Sequence, residues 1–280
     1  MCDAHSLFDI LVTLLGDRMD KTQILKEKIA DAELVLIGIG EEFNENFSKI
    51  GKYPHLMKGL EEIDSDESIA WAVPFLEKAY LEKEKEGETV QAYKNLYELV
   101  KDKNYFIVTT CIDGHIENAG FNPEKIVEPC GNYEKLQCSE KCCSELWDSK
   151  NIIADIKDAL ERAESIKGIE QPVCPHCGKQ MVFNNIVSEN YVEEGYLPQW
   201  EKYTKWLQGT VNKKLCILEL GAGMQLPGII RWPFEKVAFY NQKASFFRIN
   251  EKLYQLTEEI GDKGISIERN ARNYLLEEIK

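Results

Sequence analysis

Hydrophobic and polar positions along the chain follow two patterns. In the first, Ile24, Leu25 and Ile29 recur with polar residues between them, which is typical of one face of a helix. In the second, a compact apolar run at residues 34–39 ends in a glycine turn, which is typical of a buried strand. The same patterns predict further strands at residues 105–110, 125–128, 214–220, 237–240, 246–249 and 265–267, and helices over about residues 66–101, 147–166 and 198–208 and from residue 270 onward.

This order of elements predicts the fold class and the domains. Strands that alternate with helices favour an α/β fold with a Rossmann-type, mostly parallel sheet and helices on both faces. Cysteines crowd between the third and fourth predicted strands, so we predict a small inserted zinc-ribbon module there. We assign residues 129–189 to this module, residues 1–128 and 190–280 to the Rossmann-type domain, and a helical insertion at about residues 45–100 to the small lobe.

Four cysteines are candidate metal ligands. Cys174 and Cys177 flank a Pro-His pair in a tight turn that can aim two thiolates at one ion. The other half is irregular, because Cys138 is followed by both Cys142 and Cys143; we predict that Cys143 is the ligand and Cys142 is spare. Four thiolates close the coordination sphere of zinc, which predicts a structural ion. The alternatives are small buried hydrophobic cysteines, or the histidine of the turn as a competing ligand.

Composition narrows the classes of partner. The chain has 280 residues, 44% of them hydrophobic, which is enough for a sizeable core. Its formal net charge of −14 repels phosphate backbones, so we expect no nucleic-acid partner. Its apolar runs are shorter than the ~20 residues that span a bilayer, and its N-terminus lacks a secretory pattern. We therefore expect no membrane partner and a cytoplasmic location.

Two glycine turns follow predicted strands. They consist of Gly38, Ile39 and Gly40 and of Gly221, Ala222 and Gly223. Glycines after a buried strand let backbone amides approach the diphosphate of a dinucleotide. The third glycine of the dinucleotide fingerprint is replaced by Phe43, so an ordinary strand-to-loop turn is the alternative. The dinucleotide interpretation requires both turns to line a common crevice.

Several segments, taken in order, resemble the sirtuin family. Residues 107–120 resemble the stretch in which an Asn-Ile-Asp-Gly segment is followed by Ala-Gly. Residues 126–132 resemble the segment that ends in His-Gly-Ser and carries the catalytic histidine. The cysteine pairs fall where sirtuins place their zinc ribbon, and residues 181–189 look like the peptide-binding edge. The correspondence runs from about residue 33 to residue 279 and covers most of the chain.

The resemblance implies an NAD cofactor, a structural zinc ion, and a protein or peptide substrate in a cleft between the Rossmann-type domain and the zinc module. Asn250 is similar to the asparagine beside the adenosine ribose, and Asn270 lies where the family closes over adenine. The cofactor-binding residues that it implies are Gly38, Ile39, Gly40, Ile112, Asp113, Gly221, Ala222, Gly223, Asn250, Asn270 and Ala271.

The chain departs from the family at the catalytic positions. Cys130 stands where sirtuins have the histidine that acts as general base, and Cys111 replaces the ribose-orienting asparagine. A thiol with an ordinary pKa of ~8.5 is a poor base at neutral pH. Ile112 and Asp113 match the nicotinamide-pocket pair. The candidate catalytic residues are Cys130, Asp113 and His115, of which His115 is more often expected to be structural.

Charged residues near the turns weaken the match. Glu41 and Glu42 follow the first turn, where carboxylates repel a diphosphate unless they point away or bind a cation. Arg231, next to Trp232, either grips an anion or packs against the tryptophan ring.

Three functions remain open at this point. The first is an NAD-dependent protein ADP-ribosyltransferase or divergent deacylase. The alternative is a catalytically inactive sirtuin-fold sensor of NAD or ADP-ribose, or a peptide-binding module. In a third hypothesis, Cys130 is a nucleophile that captures ADP-ribose.

Overall fold

The computed structural model describes residues 21–162 and 164–279. The helices are α1 (residues 21–31), α2 (Pro54–Ser65), α3 (Val73–Lys83), α4 (Glu88–Val100), α5 (Lys150–Glu161), α6 (Leu197–Gln208), α7 (Arg231–Tyr240) and α8 (Ala271–Glu277). The strands are β1 (Leu34–Ile39), β2 (Asn104–Thr109), β3 (Ile126–Val127), β4 (Gly131–Cys138), β5 (Trp147–Asp148), β6 (Met181–Asn185), β7 (Leu215–Leu220), β8 (Ala244–Asn250) and β9 (Gly264–Glu268).

The main sheet has six strands in the order β3-β2-β1-β7-β8-β9. Strands β1, β7, β8 and β9 pair in parallel. Every residue of β1 and β7 is buried, as expected for strands with helices on both faces. The predicted α/β class with a Rossmann-type, mostly parallel sheet is confirmed.

One predicted strand is wrong. Residues 237–240 form the last turn of helix α7. Ile230, Phe234 and Ala238 recur every four residues and are buried, so this segment buries one helical face. Pro233 lies in the first turn of α7, where a proline is tolerated. The apolar residues Val237 to Tyr240 therefore continue a helix, and their short run resembles a strand only in isolation.

The chain divides into two compact units. Unit 1 comprises Met1–Glu42, Ala92–Val108 and Thr204–Lys280, and unit 2 comprises Phe43–Gln91 and Thr109–Tyr203. Unit 2 therefore includes residues 109–128 and 190–203, which we had assigned to the Rossmann-type domain. Residues 1–20 of the predicted segment 1–128 lie outside the described residues.

Unit 2 has a small antiparallel sheet in the order β5-β4-β6 and its own core. The core packs helices α2, α3 and α5 against β4 and β6. Its buried members include Leu76, Tyr80, Ile153, Ile156 and Phe183.

A membrane-spanning helix must be both long and apolar, and no helix in the described part of the chain meets both conditions.

Candidate functional site

The two glycine turns lie side by side at the carboxyl ends of β1 and β7. These strands are parallel neighbours, with Ile39 opposite Leu220. The amide of Gly40 donates to the carbonyl of Leu220 at 2.9 Å. A Cβ on Gly40 would lie 2.4 Å from the Cα of Ala222, so only glycine lets the turns approach this closely. The turns therefore share one edge of the sheet, as the dinucleotide interpretation requires.

The beginning of the first predicted turn belongs to the core. Gly38 lies within β1, where an added Cβ would be 2.4 Å from Ile230 Cγ2 and 2.7 Å from Phe234 Cε2. The missing side chain thus allows α7 to pack closely on β1. Ile39 is completely buried in the same strand. Of the first predicted turn, only Gly40 lies beyond the end of β1.

The carboxylate of Glu42 lies against the second turn and accepts two backbone hydrogen bonds. Its Oε1 accepts from the amide of Glu251 at 2.7 Å, and its Oε2 accepts from the amide of Ala271 at 2.6 Å. Ala271 begins α8, so the carboxylate lies at the positive end of that helix. Burial raises the pKa of Glu42, and the two amides oppose this change. Gly221 has φ +63, and a Cβ there would lie 2.6 Å from that of Glu42.

Glu41 covers the other glycine of the second turn. Its Oε1 accepts from the amide of Gln225 at 3.3 Å. A Cβ on Gly223 would lie 1.7 Å from Glu41 Oε2. The space that Gly223 leaves open is thus filled by the carboxylate of Glu41.

Asn250 and Asn270 fix neighbouring backbone with their side chains. Asn250 Nδ2 donates to the carbonyl of Ala222 at 3.1 Å, and its Oδ1 accepts from the amide of Leu253 at 2.7 Å. Asn270 caps α8 by accepting from the amide of Asn273 at 3.1 Å. Both asparagines therefore shape the turn and helix beside Glu42.

A buried ion network that the sequence analysis missed supports the second turn. Glu219 lies opposite Arg248 in the sheet and accepts two hydrogen bonds from it, at 2.6 and 2.8 Å. Arg231 Nη1 lies 3.4 Å from Glu219 and donates to the carbonyl of Ala222 at 2.9 Å. Arg231 thus positions the turn and is not free to grip a ligand. The sequence carries a signal for this network, because each of two apolar strands contains one charged residue, Glu219 in β7 and Arg248 in β8.

A dinucleotide fits this edge by its backbone geometry but is opposed by charge. Gly40, Gly221 and Ala222 bring backbone from two turns close together at the carboxyl edge of the sheet, where α/β proteins bind nucleotides. The carboxylates of Glu41 and Glu42 lie beside them, and like charges repel a diphosphate there. Glu42 is held by two short hydrogen bonds, whereas Glu41 is held by one of 3.3 Å. A diphosphate at Gly223 would therefore require Glu41 to turn away.

In unit 2, Asp113 and His115 are buried together, with 5% and 2% of their surface exposed. Asp113 Oδ1 accepts from the amide of His115 at 2.7 Å. Asp113 Oδ2 and His115 Nε2 are buried and have no hydrogen-bond partner among the described residues. Burial raises the pKa of Asp113 and lowers that of His115, so it favours the neutral form of each. Ile112 is half-buried and packs against the unit 2 core.

The two cysteines at the catalytic positions are buried. Cys130 is completely buried and Cys111 is 3% exposed. A buried thiol offers no surface to a substrate, which weighs against Cys130 as nucleophile or base. Cys216 is likewise inside β7, where burial raises the pKa of its thiol to about 12.

Four other cysteines of unit 2 form a cluster with metal-binding geometry. The sulfurs of Cys138, Cys142, Cys174 and Cys177 all lie within 4.8 Å of one another. The Cys138–Cys177 and Cys142–Cys174 pairs are 3.5 and 3.6 Å apart. Four sulfurs at ~2.3 Å from a tetrahedral zinc ion would be separated by about 3.8 Å. The donor set therefore fits a closed tetrahedral site.

The structure corrects one of the predicted ligands. Cys142 completes the cluster, and Cys143 does not; its sulfur lies 3.9 Å from that of Cys142. In the turn after β4, the amides of Glu140 and Cys142 both donate to the sulfur of Cys138, which holds Cys142 beside it. Burial raises the pKa of Cys138, and these backbone hydrogen bonds lower it.

The chain is similar in sequence to two proteins whose names include ADP-ribosyltransferase. No family model matches it. A protein named "Protein ADP-ribosyltransferase" from Staphylococcus aureus is 26% identical over 94% of this chain and 88% of its own length. A protein from Fusarium oxysporum f. sp. cubense, named "Probable bifunctional ADP-ribose hydrolase/ADP-ribosyltransferase", is 29% identical over 46% of this chain and 23% of its own length.

Solved structures of Sir2 enzymes share the fold. Sir2Tm bound to a propionylated peptide gives a TM-score of 0.51 at 14% identity, over 91% of this chain and 96% of that one. A second structure, "Structural Basis for the Mechanism and Regulation of Sir2 Enzymes", gives a TM-score of 0.50 at 15% identity, over 92% of this chain and 94% of that one. The chain is therefore a divergent protein of the sirtuin fold, and the resemblance predicted from its sequence is confirmed.

Proposed function

We propose that this protein is an NAD-dependent protein ADP-ribosyltransferase of the sirtuin type. The observation that carries the proposal is the similarity to the Staphylococcus aureus protein of that name, which spans 94% of this chain. The sirtuin fold and the adjacent glycine turns support the same function. These names and folds do not favour the alternative of an inactive sensor.

The proposed cofactor site is the edge where the two turns meet. The backbone at Ala222 would hold the diphosphate, and Gly40 and Gly221 would let it approach closely, since their own amides donate to the carbonyls of Leu220 and Ile249. The asparagine cap of α8 would adjoin the adenosine. When bound, NAD supplies the ADP-ribosyl group and releases nicotinamide. This chain's own contribution is to orient the turn through Arg231 and Asn250, which both donate to the carbonyl of Ala222.

Asp113 is the proposed nicotinamide-side residue. Its unpartnered Oδ2 can accept a hydrogen bond from a carboxamide when ionised or donate one when protonated. His115 orients Asp113 through its amide and is favoured as a neutral side chain by burial. Burial of Cys130 leaves this position without an exposed base, which suits ADP-ribosyl transfer to an activated acceptor better than deacylation.

Zinc is the proposed metal of the cysteine cluster, with Cys138, Cys142, Cys174 and Cys177 as ligands. Four thiolates leave no coordination position for water, so the ion would stabilise unit 2 without a catalytic role. Removal of zinc would therefore lower stability before it affected any chemical step.

The proposed substrate is a protein or peptide that binds along β6. This strand lies at the edge of the small sheet and can extend it by backbone pairing. The segment after it exposes Ile186 and Val187, at 45% and 75% of their surface. A cavity of about 480 Å³ lined by Trp71, Phe75 and other side chains adjoins β6 and could receive an apolar group.

The test is to incubate zinc-loaded protein with NAD, with and without an acylated peptide, and to measure nicotinamide release and transfer of labelled ADP-ribose. We expect release, with label on protein and no loss of the acyl group. Asp113→Asn should reduce release at least tenfold, whereas the matched control Glu164→Gln, on the exposed surface, should not change it.

The other outcomes separate the competing functions. Release that depends on the peptide and removes its acyl group would replace transfer by deacylation. Thermal stabilisation by NAD without nicotinamide release would indicate a sensor, and a mass shift on Cys130 would indicate covalent capture. If NAD is neither cleaved nor stabilises the protein, then NAD is not its ligand.

A further inference from the structure

A small acidic pocket in unit 2 has no part in the function proposed above. Its volume is about 130 Å³, well above the ~10–15 Å³ that one water molecule needs. Its walls combine carboxylates, carboxamides, aromatic rings and aliphatic side chains, and include Glu117, Glu128, Gln199, Tyr191, Tyr196 and Leu146. Glu117 and the lining residue Pro123 are exposed, so the pocket opens to the surface.

Two buried oxygen atoms from residues that line this pocket have no hydrogen-bond partner in the part of the chain that the structure describes. Asn132 Nδ2 donates to Glu128 Oε2 at 2.8 Å and fixes the carboxylate, but Glu128 Oε1 is left unpartnered. Gln199 Oε1 is also buried and unpartnered. A buried acceptor without a partner destabilises the folded state. Two unpartnered acceptors at one pocket indicate a ligand that donates hydrogen bonds.

The charges around the pocket favour a cation. Burial raises the pKa of Glu128 to about 8, and the carboxylates of Glu117, Asp113 and Glu134 add to this effect. Lys135 also lines the pocket, but its Nζ lies 3.3 Å from Asp148, which compensates its charge. A bound cation would stabilise the ionised form of Glu128 and displace its proton.

The composition and geometry of the pocket wall favour a guanidinium group over a metal ion or an ammonium group. A calcium ion takes 6–8 oxygen ligands. Of the described residues, two carboxylates and three carboxamides line this pocket, the oxygen of Asn132 already accepts from the amide of Glu134, and about half of the wall is apolar. The rings of Tyr191 and Tyr196 are nearly parallel, at 19° with centroids 6.3 Å apart. A guanidinium group is planar, carries five N–H donors and stacks on aromatic rings, whereas an ammonium group is a strongly hydrated point charge.

We propose that this pocket receives an arginine side chain of a partner protein, whose guanidinium donates to Glu128 Oε1 and Gln199 Oε1 beside the two tyrosine rings. The interaction is independent of NAD, so it can be tested whether or not the proposed transferase activity is found. The partner would present the arginine on an exposed segment, because the pocket is small and opens at the surface.

The test is to titrate the intact zinc-loaded protein, without NAD, with N-acetyl-arginine methylamide and with the matched citrulline and lysine compounds, using calorimetry or NMR. Citrulline has nearly the same shape without the charge. We expect the arginine compound to bind at least tenfold more tightly than either. Its affinity should also be about tenfold higher at pH 9 than at pH 7, because a carboxyl with a pKa of about 8 ionises over that range.

Variants make the test specific to the pocket. Glu128→Gln should weaken arginine binding at least tenfold at pH 9 and abolish its pH dependence, and Gln199→Leu should weaken it several-fold. Glu164→Gln is the matched surface control and should bind as the parent does. Equal binding of citrulline or lysine, competition by millimolar calcium, or unchanged binding by a folded Glu128→Gln variant would overturn the proposal.

Discussion

Units 1 and 2 both bury charged side chains, but the two units differ in how completely these side chains are hydrogen-bonded or paired. In unit 1, Glu42 accepts two backbone amides, and Glu219 is paired with Arg248. In unit 2, Asp113 and Glu128 each keep one buried oxygen that no other described residue contacts by a hydrogen bond. A buried acid with complete hydrogen bonding holds its own fold together. A buried acid that lacks a partner is a candidate to bind something from outside.

The cysteine cluster extends this comparison, and it should show the largest effect. Cys142→Ser should abolish stoichiometric zinc binding and lower the free energy of unfolding by more than about 4 kcal/mol, because the remaining thiols lose the ion that joins them. The measurements are metal content and thermal unfolding. The matched control is Cys143→Ser, which should keep the metal; loss of zinc from this control instead would reverse our ligand assignment.

Glu42→Ala tests how much the hydrogen bonds of Glu42 stabilise unit 1. Two backbone amides and the start of α8 would lose their acceptor, which should lower the free energy of unfolding by about 2–3 kcal/mol. Urea unfolding measures the change, with the exposed Glu258→Ala as control. A change of less than about 0.5 kcal/mol would mean that water replaces the carboxylate at no cost.

Glu128→Gln should act with the opposite sign. The folded-state pKa of Glu128, about 8, lies above its unfolded value, so stability is fully present below about pH 4 and is lost as pH rises toward 8. The neutral amide cannot ionise and should therefore be more stable than the parent at pH 8, by a few kcal/mol, and equal to it near pH 4. Unfolding at both pH values tests this, and a parallel pH dependence of variant and parent would contradict it.

Glu41→Gln should show the smallest effect. It removes one of the two carboxylates beside the glycine turns, so affinity for ADP-ribose should rise about fivefold at low salt, with a smaller gain at high salt. Calorimetry measures the affinity, and Glu258→Gln controls for net charge. A weaker complex would indicate that Glu41 contacts the ligand through a cation.

Much of the fold was predictable because it depends on local patterns. Buried parallel strands are continuous apolar runs, so β1 and β7 stand out in the sequence. The segment at residues 237–240 was misassigned because four apolar residues carry no periodicity. Only the burial of Ala238 on the same helical face as Ile230 and Phe234 identifies a helix. The bounds of the two units depend on contacts between distant segments, so short patterns in the sequence do not define them.

The candidate site was predictable in its position and not in its chemistry. Spacing alone indicated the two turns and three of the four clustered cysteines. It could not choose between Cys142 and Cys143, because adjacent residues differ only in where the folded turn aims their sulfurs. Glu128 and Gln199 are 71 positions apart in the chain, and nothing local links them until the fold places both at one pocket.

By itself, the sequence determined the alternation of strands and helices, the two glycine turns and the supply of thiols, because these depend on residue type and short spacing. The tertiary structure alone decided which carboxylates are satisfied, which thiols meet, and which side chains are buried. Such properties depend on contacts between distant residues and on the removal of water from around them.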